Sequence, residues 1–224
     1  MRHFIEELDH LREKLLEMSG LVEDSIYRSV ASLAQKDEQQ AQQVIRNEDK
    51  INRLEIEVDD LAVGLLALQQ PMASDLRFIT AAIKINHDLE RMGDIAVNIV
   101  ERALSLMHEP LIKPLIDIPR MANLVQSMVR KVLDAFVKKD PDLARNVLVS
   151  DDAVDDLRDS IFEELIAFME RDPNAVRQAV NLMFISRSLE RLADHATNIA
   201  EDVLFLVQGV DVRHHAETRQ EPRN

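Results

Sequence analysis

A chain of 224 residues with a formal net charge of -14 is long enough to bury a core, yet too acidic to be drawn to duplex nucleic acid or anionic lipid. Cysteine is absent, which excludes disulfides and thiolate metal sites; any metal must sit on carboxylates, amides, histidines or water. Four Gly, seven Pro and no Trp, in a chain dominated by Leu, Ile, Val, Ala, Glu, Gln, Lys and Arg, are the vocabulary of long helices.

The first predicted helix runs over Arg2–Ala34, where Phe4, Leu8, Leu11, Leu15, Met18, Val22, Ile26 and Val30 recur every three or four residues as one apolar stripe. Lys36-Asp37 breaks it. A second helix follows over Glu38–Leu68 on a seam of Val44, Ile51, Leu54, Val58, Leu61 and Leu65. Gln69-Gln70-Pro71 ends it, and Pro71 suits the start of a third helix that extends to Met107. His108–Pro114, with prolines at both 110 and 114, is the clear linker. A fourth helix is predicted over Arg120–Lys138. Asp140-Pro141 caps a fifth that ends at Glu170, and Asp172-Pro173 repeats the device to open a sixth reaching Val207. The N-terminus meets Glu6 and Glu7 before any apolar stretch forms, and no window approaches the roughly 18 apolar residues of a membrane span. A cytoplasmic protein is expected, without membrane insertion.

Displaced by 100 residues, the chain lies over itself: Leu76–Leu106 and Val176–Leu206 carry the same residue at 12 of 31 positions. The second and fifth helices align at an offset of 103, with Lys36-Asp37 over Lys139-Asp140 and Glu48, Asp49 and Leu54 over Asp151, Asp152 and Leu157. Three long helices joined by short connections must fold antiparallel to bury their stripes. The expected fold is therefore all-α, two tandem pseudo-symmetric three-helix bundles over 1–109 and 116–208, with a polar tail over 209–224.

The chemistry lies in the acidic faces. At about 100° per residue, steps of four, seven and eleven return within roughly 40° of the starting direction. Glu90, Asp94 and Glu101 obey that spacing, with Asn98 beside them, and Glu190, Asp194 and Glu201 repeat it with Asn198. Glu48, Asn52, Glu55 and Asp59 form a similar ladder on the second helix. The fifth offers Asp151 and Asp155, then departs, with Arg158 and Phe162 in the later places. Acids four apart repel, and a hard cation reverses the sign of that interaction. A charge run is ordinarily a solvated face; recurrence at matched positions is what argues for paired cation sites. His195 is the one histidine that this spacing brings near, so the residues alone do not select zinc. Arg77 and Arg177 are expected to organise helix starts rather than to contact phosphate. A carboxylate-bridged oxidase would need Glu-x-x-His on two helices, and neither is present; a plain structural or chaperone-like bundle is the other alternative.

The segments Gln70–Arg77 (QPMASDLR), Asp88–Asp94 (DLERMGD), Ser188–Asp194 (SLERLAD) and Val207–His214 (VQGVDVRH) resemble, in that order, the motifs of the PhoU family of bacterial phosphate-transport regulators. The resemblance implies two three-helix bundles and multinuclear clusters of iron or zinc on E(D)xxxD pairs; magnesium or manganese would also suit such hard oxygen ligands. By position these fall on Glu90/Asp94 and Glu190/Asp194, faced by Asp151/Asp155 in one repeat and by Glu48/Asn52 in the other. Position 52 departs from the strict pattern, and Gly93 becomes Ala193, a change expected to matter little. The resemblance further implies a cytoplasmic, non-enzymatic and commonly dimeric adaptor. It would act between the ATPase of the phosphate ABC transporter and the phosphate-sensing membrane histidine kinase, restraining uptake and signalling when phosphate is plentiful.

Overall fold

The computed structural model describes residues 2–69 and 71–209, so Gln70 and the tail beyond Gly209, including Val210–His214, lie outside the described residues. Six α-helices follow in order: α1 (Arg2–Gln35), α2 (Glu38–Gln69), α3 (Ala73–Leu106), α4 (Asp117–Lys138), α5 (Pro141–Arg171) and α6 (Val176–Gln208), the last preceded by a 3-10 turn over Pro173–Ala175. None of them is long and apolar enough to cross a membrane.

The breaks form for the reasons written in the sequence. Asp140 accepts hydrogen bonds from the backbone N–H of Asp142 (2.9 Å) and Leu143 (3.1 Å), and Asp172 from that of Asn174 (2.9 Å), two N-caps each followed by proline. Lys36 and Lys139, equivalent at the offset of 103, both take left-handed backbone (φ 54° and 52°), so the repeat extends to the shape of the turn. Two starts differ from expectation. α4 begins at Asp117 rather than Arg120, because Pro119 falls in the first turn, where backbone N–H groups have no intrahelical partner. α3 begins at Ala73 after an extended Met72, which leaves Pro71 outside the helix.

α2 packs on α1 and α3, α5 on α4 and α6, while α3 against α6 and α1 against α4 join the halves. One apolar core passes through all six helices: Met18, Ile51 and Ile85 belong to the same cluster as Met128, Val154 and Leu189. Phe78 of α3 and Phe136 of α4 stack across the halves with ring centroids 5.6 Å apart. At full burial each such side chain contributes roughly 1.5–3 kcal/mol. The linker is tied down as well. Gln178 accepts from Ile112 N–H and donates to the Pro110 carbonyl (2.9 Å), and buried Lys113 pairs with Glu164 of α5.

Candidate metal centre

In the second half, Asp151 and Asp155 of α5 face Glu190 and Asp194 of α6. Burial, then the neighbouring charges of Asp194, Asp155, Asp152 and Glu190, push the Asp151 carboxyl up to about 6. Asp194 is raised by burial and by Asp155, and Glu190 by burial and by Asp194. Asp151, Glu190 and Asp194, held toward protonation beside the carboxylate of Asp155, mark a place where positive charge is short. One cation is built in: Arg158 Nη1 lies 3.0 Å from Glu190 Oε1 and 3.3 Å from Asp155 Oδ1. The departure from the ladder seen in the sequence is thus a guanidinium inside the acid cluster.

In the first half, α2 faces α3. Asn52 Nδ2 donates to Glu48 Oε1 at 2.5 Å, so the amide that replaces an acid supports the remaining carboxylate. Glu90 is raised by burial and by Asp94, with Arg91 and His87 opposing. Asp94 pairs with Arg91 at 3.2 Å. Asn86, only 1% exposed, reaches back to the Glu55 carbonyl (2.9 Å) and to Asp59 Oδ1 (3.0 Å). Among the described residues, three buried side-chain oxygens accept no hydrogen bond, and all three belong to these two helices: Asn52 Oδ1, Asn86 Oδ1 and Glu90 Oε2. Arg91 Nε stands 3.4 Å from Glu90 Oε2 without bonding to it. Orphaned oxygens are the donors a hard or borderline cation takes, so the residues present fit a bound metal.

Sequence spacing missed one member of this group. Among the described residues, donors of Glu55, His87 and Glu90 converge within 4.8 Å of one another. His195, the histidine the spacing pointed to, instead bonds Asp88 Oδ1 through Nδ1 at 2.7 Å, across the α3–α6 contact between halves. Glu101 is exposed. Glu201 lines a cleft on that same contact with Lys84, His87, Asp88, Asn198 and Asp202. Arg177 pairs with Glu109 at 3.2 Å, tying the start of α6 to the linker, whereas Arg77 Nε is buried without a hydrogen-bond partner.

Six helices in two matched halves, each with an acidic groove between its second and third helices, define a duplicated helical-bundle protein. The PhoU domain model matches residues 15–103 and again 118–203, and the chain belongs to the PhoU family. It is 42% identical over 219 residues to the phosphate-specific transport system accessory protein PhoU homolog of Pseudomonas aeruginosa, covering 97% of this chain and 90% of that protein. A Caulobacter vibrioides homolog of the same description is 38% identical over 224 residues, covering 100% of this chain and 95% of that protein. The fold is similar to the crystal structure of PhoU from Pseudomonas aeruginosa, with TM-score 0.90 and 41% identity over 92% of this chain and 100% of that one. For the phosphate transport system regulatory protein PhoU of Streptococcus pneumoniae the TM-score is 0.86, at 29% identity over 93% and 99%.

Proposed function

We propose that this protein regulates phosphate transport as a metal-binding adaptor without a catalytic step of its own. It restrains uptake and starvation signalling when phosphate is plentiful, by docking on the ATPase of the phosphate ABC transporter and on the phosphate-sensing membrane histidine kinase. The regulatory role rests on membership of the PhoU family and on relatives described as accessory proteins of the phosphate-specific transport system. The observation that supports a metal is the crowding of acids in both grooves. Asp151, Glu190 and Asp194 are held toward protonation in one, and orphaned oxygens on Asn52 and Glu90 line the other.

Glu48, Asn52, Glu90 and Asp94 would hold metal in the first half, and Asp151, Asp155, Glu190 and Asp194 in the second. Bound iron, zinc, magnesium or manganese supplies the positive charge that lets facing acids ionise and fixes the spacing of their helices. The adaptor would work in the cytoplasm as a homodimer. Co-purification from cells under phosphate-replete conditions tests the partners: transporter ATPase and kinase should be retained by the native chain and lost from a Glu90→Ala/Asp94→Ala/Glu190→Ala/Asp194→Ala variant. Equal retention and normal repression of phosphate-starvation reporters in that variant, at equal protein level, would remove metal from the function.

A further inference from the structure

At the offsets that relate the two repeats, Glu55 corresponds to Arg158, His87 to Arg187 and Glu90 to Glu190. Two of three positions have changed the sign or the kind of their charge. In the second half Arg158 donates to Glu190 (3.0 Å), and Arg158, Arg187 and Glu190 share one pocket. In the first half the same places hold two carboxylates and an imidazole. His87 Nδ1 is 3.9 Å from Glu55 Oε1, and all three donors lie within 4.8 Å of one another. His87 is 59% exposed, so its ring can turn the remaining distance without disturbing the core.

A second observation points the same way. Among the described residues, the buried oxygens left without a hydrogen bond are on Asn52, Asn86 and Glu90, all on α2 and α3: Glu90 belongs to the trio, and Asn86 precedes His87 and donates to the Glu55 carbonyl. In the second half Asp155 and Glu190, the equivalents of Asn52 and Glu90, both meet the Arg158 guanidinium (3.3 and 3.0 Å), and Ser186, the equivalent of Asn86, donates to the Met183 carbonyl.

We propose that Glu55, His87 and Glu90 form a mixed nitrogen–oxygen subsite for a borderline divalent cation, present only in the first half, and that Arg158 and Arg187 close its equivalent in the second. The inference rests on the metal-binding reading above and sharpens it: the two grooves differ in the cation they accept. Imidazole favours zinc or ferrous iron over magnesium, whereas the carboxylates of the second half favour hard cations.

Zinc titration of the full-length protein, stripped with chelator and monitored by competition with a chromophoric zinc ligand, tests this. His87→Ala and Glu55→Gln should each weaken the tightest zinc equivalent by at least about tenfold, while magnesium affinity changes little on loss of the imidazole. Arg158→Glu/Arg187→His should gain a second tight zinc equivalent, provided its helicity and melting match the parent. Unchanged zinc affinity in His87→Ala and Glu55→Gln, with loss only in Glu190→Gln/Asp194→Asn, would overturn the subsite and leave metal binding itself standing. Zinc, iron and manganese all failing to bind the native chain would overturn both.

Discussion

Lys84 of α3 donates to Asp202 of α6 at 2.7 Å, and the places 100 residues along from each hold Phe184 and Arg102, whose guanidinium carbon lies 4.9 Å from the ring centroid. One pseudo-symmetric contact between the halves is an ion pair; its mate is a cation on a ring. Both bridge α3 to α6, and both have survived a complete change of chemistry.

Lys84→Ala removes a charge-assisted hydrogen bond from Asp202, whose side chain is 10% exposed. Since the lysine end is 42% exposed, the expected loss is about 1 kcal/mol, read as a lower urea midpoint. Phe184→Ala should cost a similar amount, and because the sites are separate the two should add. A much larger combined loss would mean that α3 and α6 separate cooperatively at this contact.

Gly93 is less neutral than its replacement by Ala193 suggests. A Cβ at position 93 would stand 3.1 Å from Ile51 Cδ1 and 3.3 Å from Ile51 Cγ2, and Ile51 is fully buried. The equivalent of Ile51 in the second half is Val154, so carbon absent from α5 reappears on α6. Gly93→Ala gains up to about 1 kcal/mol of helix propensity and loses a comparable amount to overpacking. The single variant should therefore melt at or below the parent, and Gly93→Ala/Ile51→Val above Ile51→Val alone. Should Gly93→Ala alone raise the melting temperature by several degrees, Ile51 has room to move.

Asp151 gives the metal-free protein a pH dependence of defined sign. Unfolded, its carboxyl titrates near 3.8; folded, burial and the neighbouring acids move it to about 6. Between those values the folded state holds the extra proton, so stability falls as pH rises through the window and returns on acidification. Asp151→Asn should flatten that slope and, at pH 7 in chelator, stabilise the chain by about 1 kcal/mol once solvent screening is allowed for. Urea midpoints at pH 4.5 and 7 decide it; parallel profiles for parent and variant would contradict the assignment.

Arg158→Ala removes the guanidinium from Glu190 and Asp155, which then repel Asp151 and Asp194 with only Arg187, Arg191 and His195 left to offset them. Side chains 26% and 20% exposed make the Arg158–Glu190 pair worth about 1–2 kcal/mol, well below a fully buried one. The chelated variant should unfold at lower denaturant, and a saturating divalent cation should recover most of the loss. No recovery would mean that the second groove does not take a cation even with its arginine gone.

The helices were legible because their seams repeat at helical period over about six turns or more, and the Asp-Pro caps because their side chains satisfy backbone donors locally. Pro119 misled, since a proline reads as a breaker whether it precedes a helix or sits in its first turn. The acid ladders were legible for the same reason as the seams: one helix, one face. What spacing could not give was any group assembled from two helices. His87 stands three residues before Glu90 and meets Glu55 only when α2 folds onto α3. Arg158 showed as a gap in a ladder, and its partner Glu190 is on another helix. His195 lies beside Asp194 in the chain but bonds Asp88 in the opposite repeat. Sequence symmetry located both grooves, and the differences between them required the fold.

The unbroken apolar core has an evolutionary reading. A single repeat would leave bare the α3 face that now meets α6, so a half-length ancestor would have needed a twin to cover it. Fusing the twins released each copy from the obligation to remain identical. Glutamate at 55 against arginine at 158 is a mark of that release: the second groove carries a side-chain cation of its own where the first carries a carboxylate.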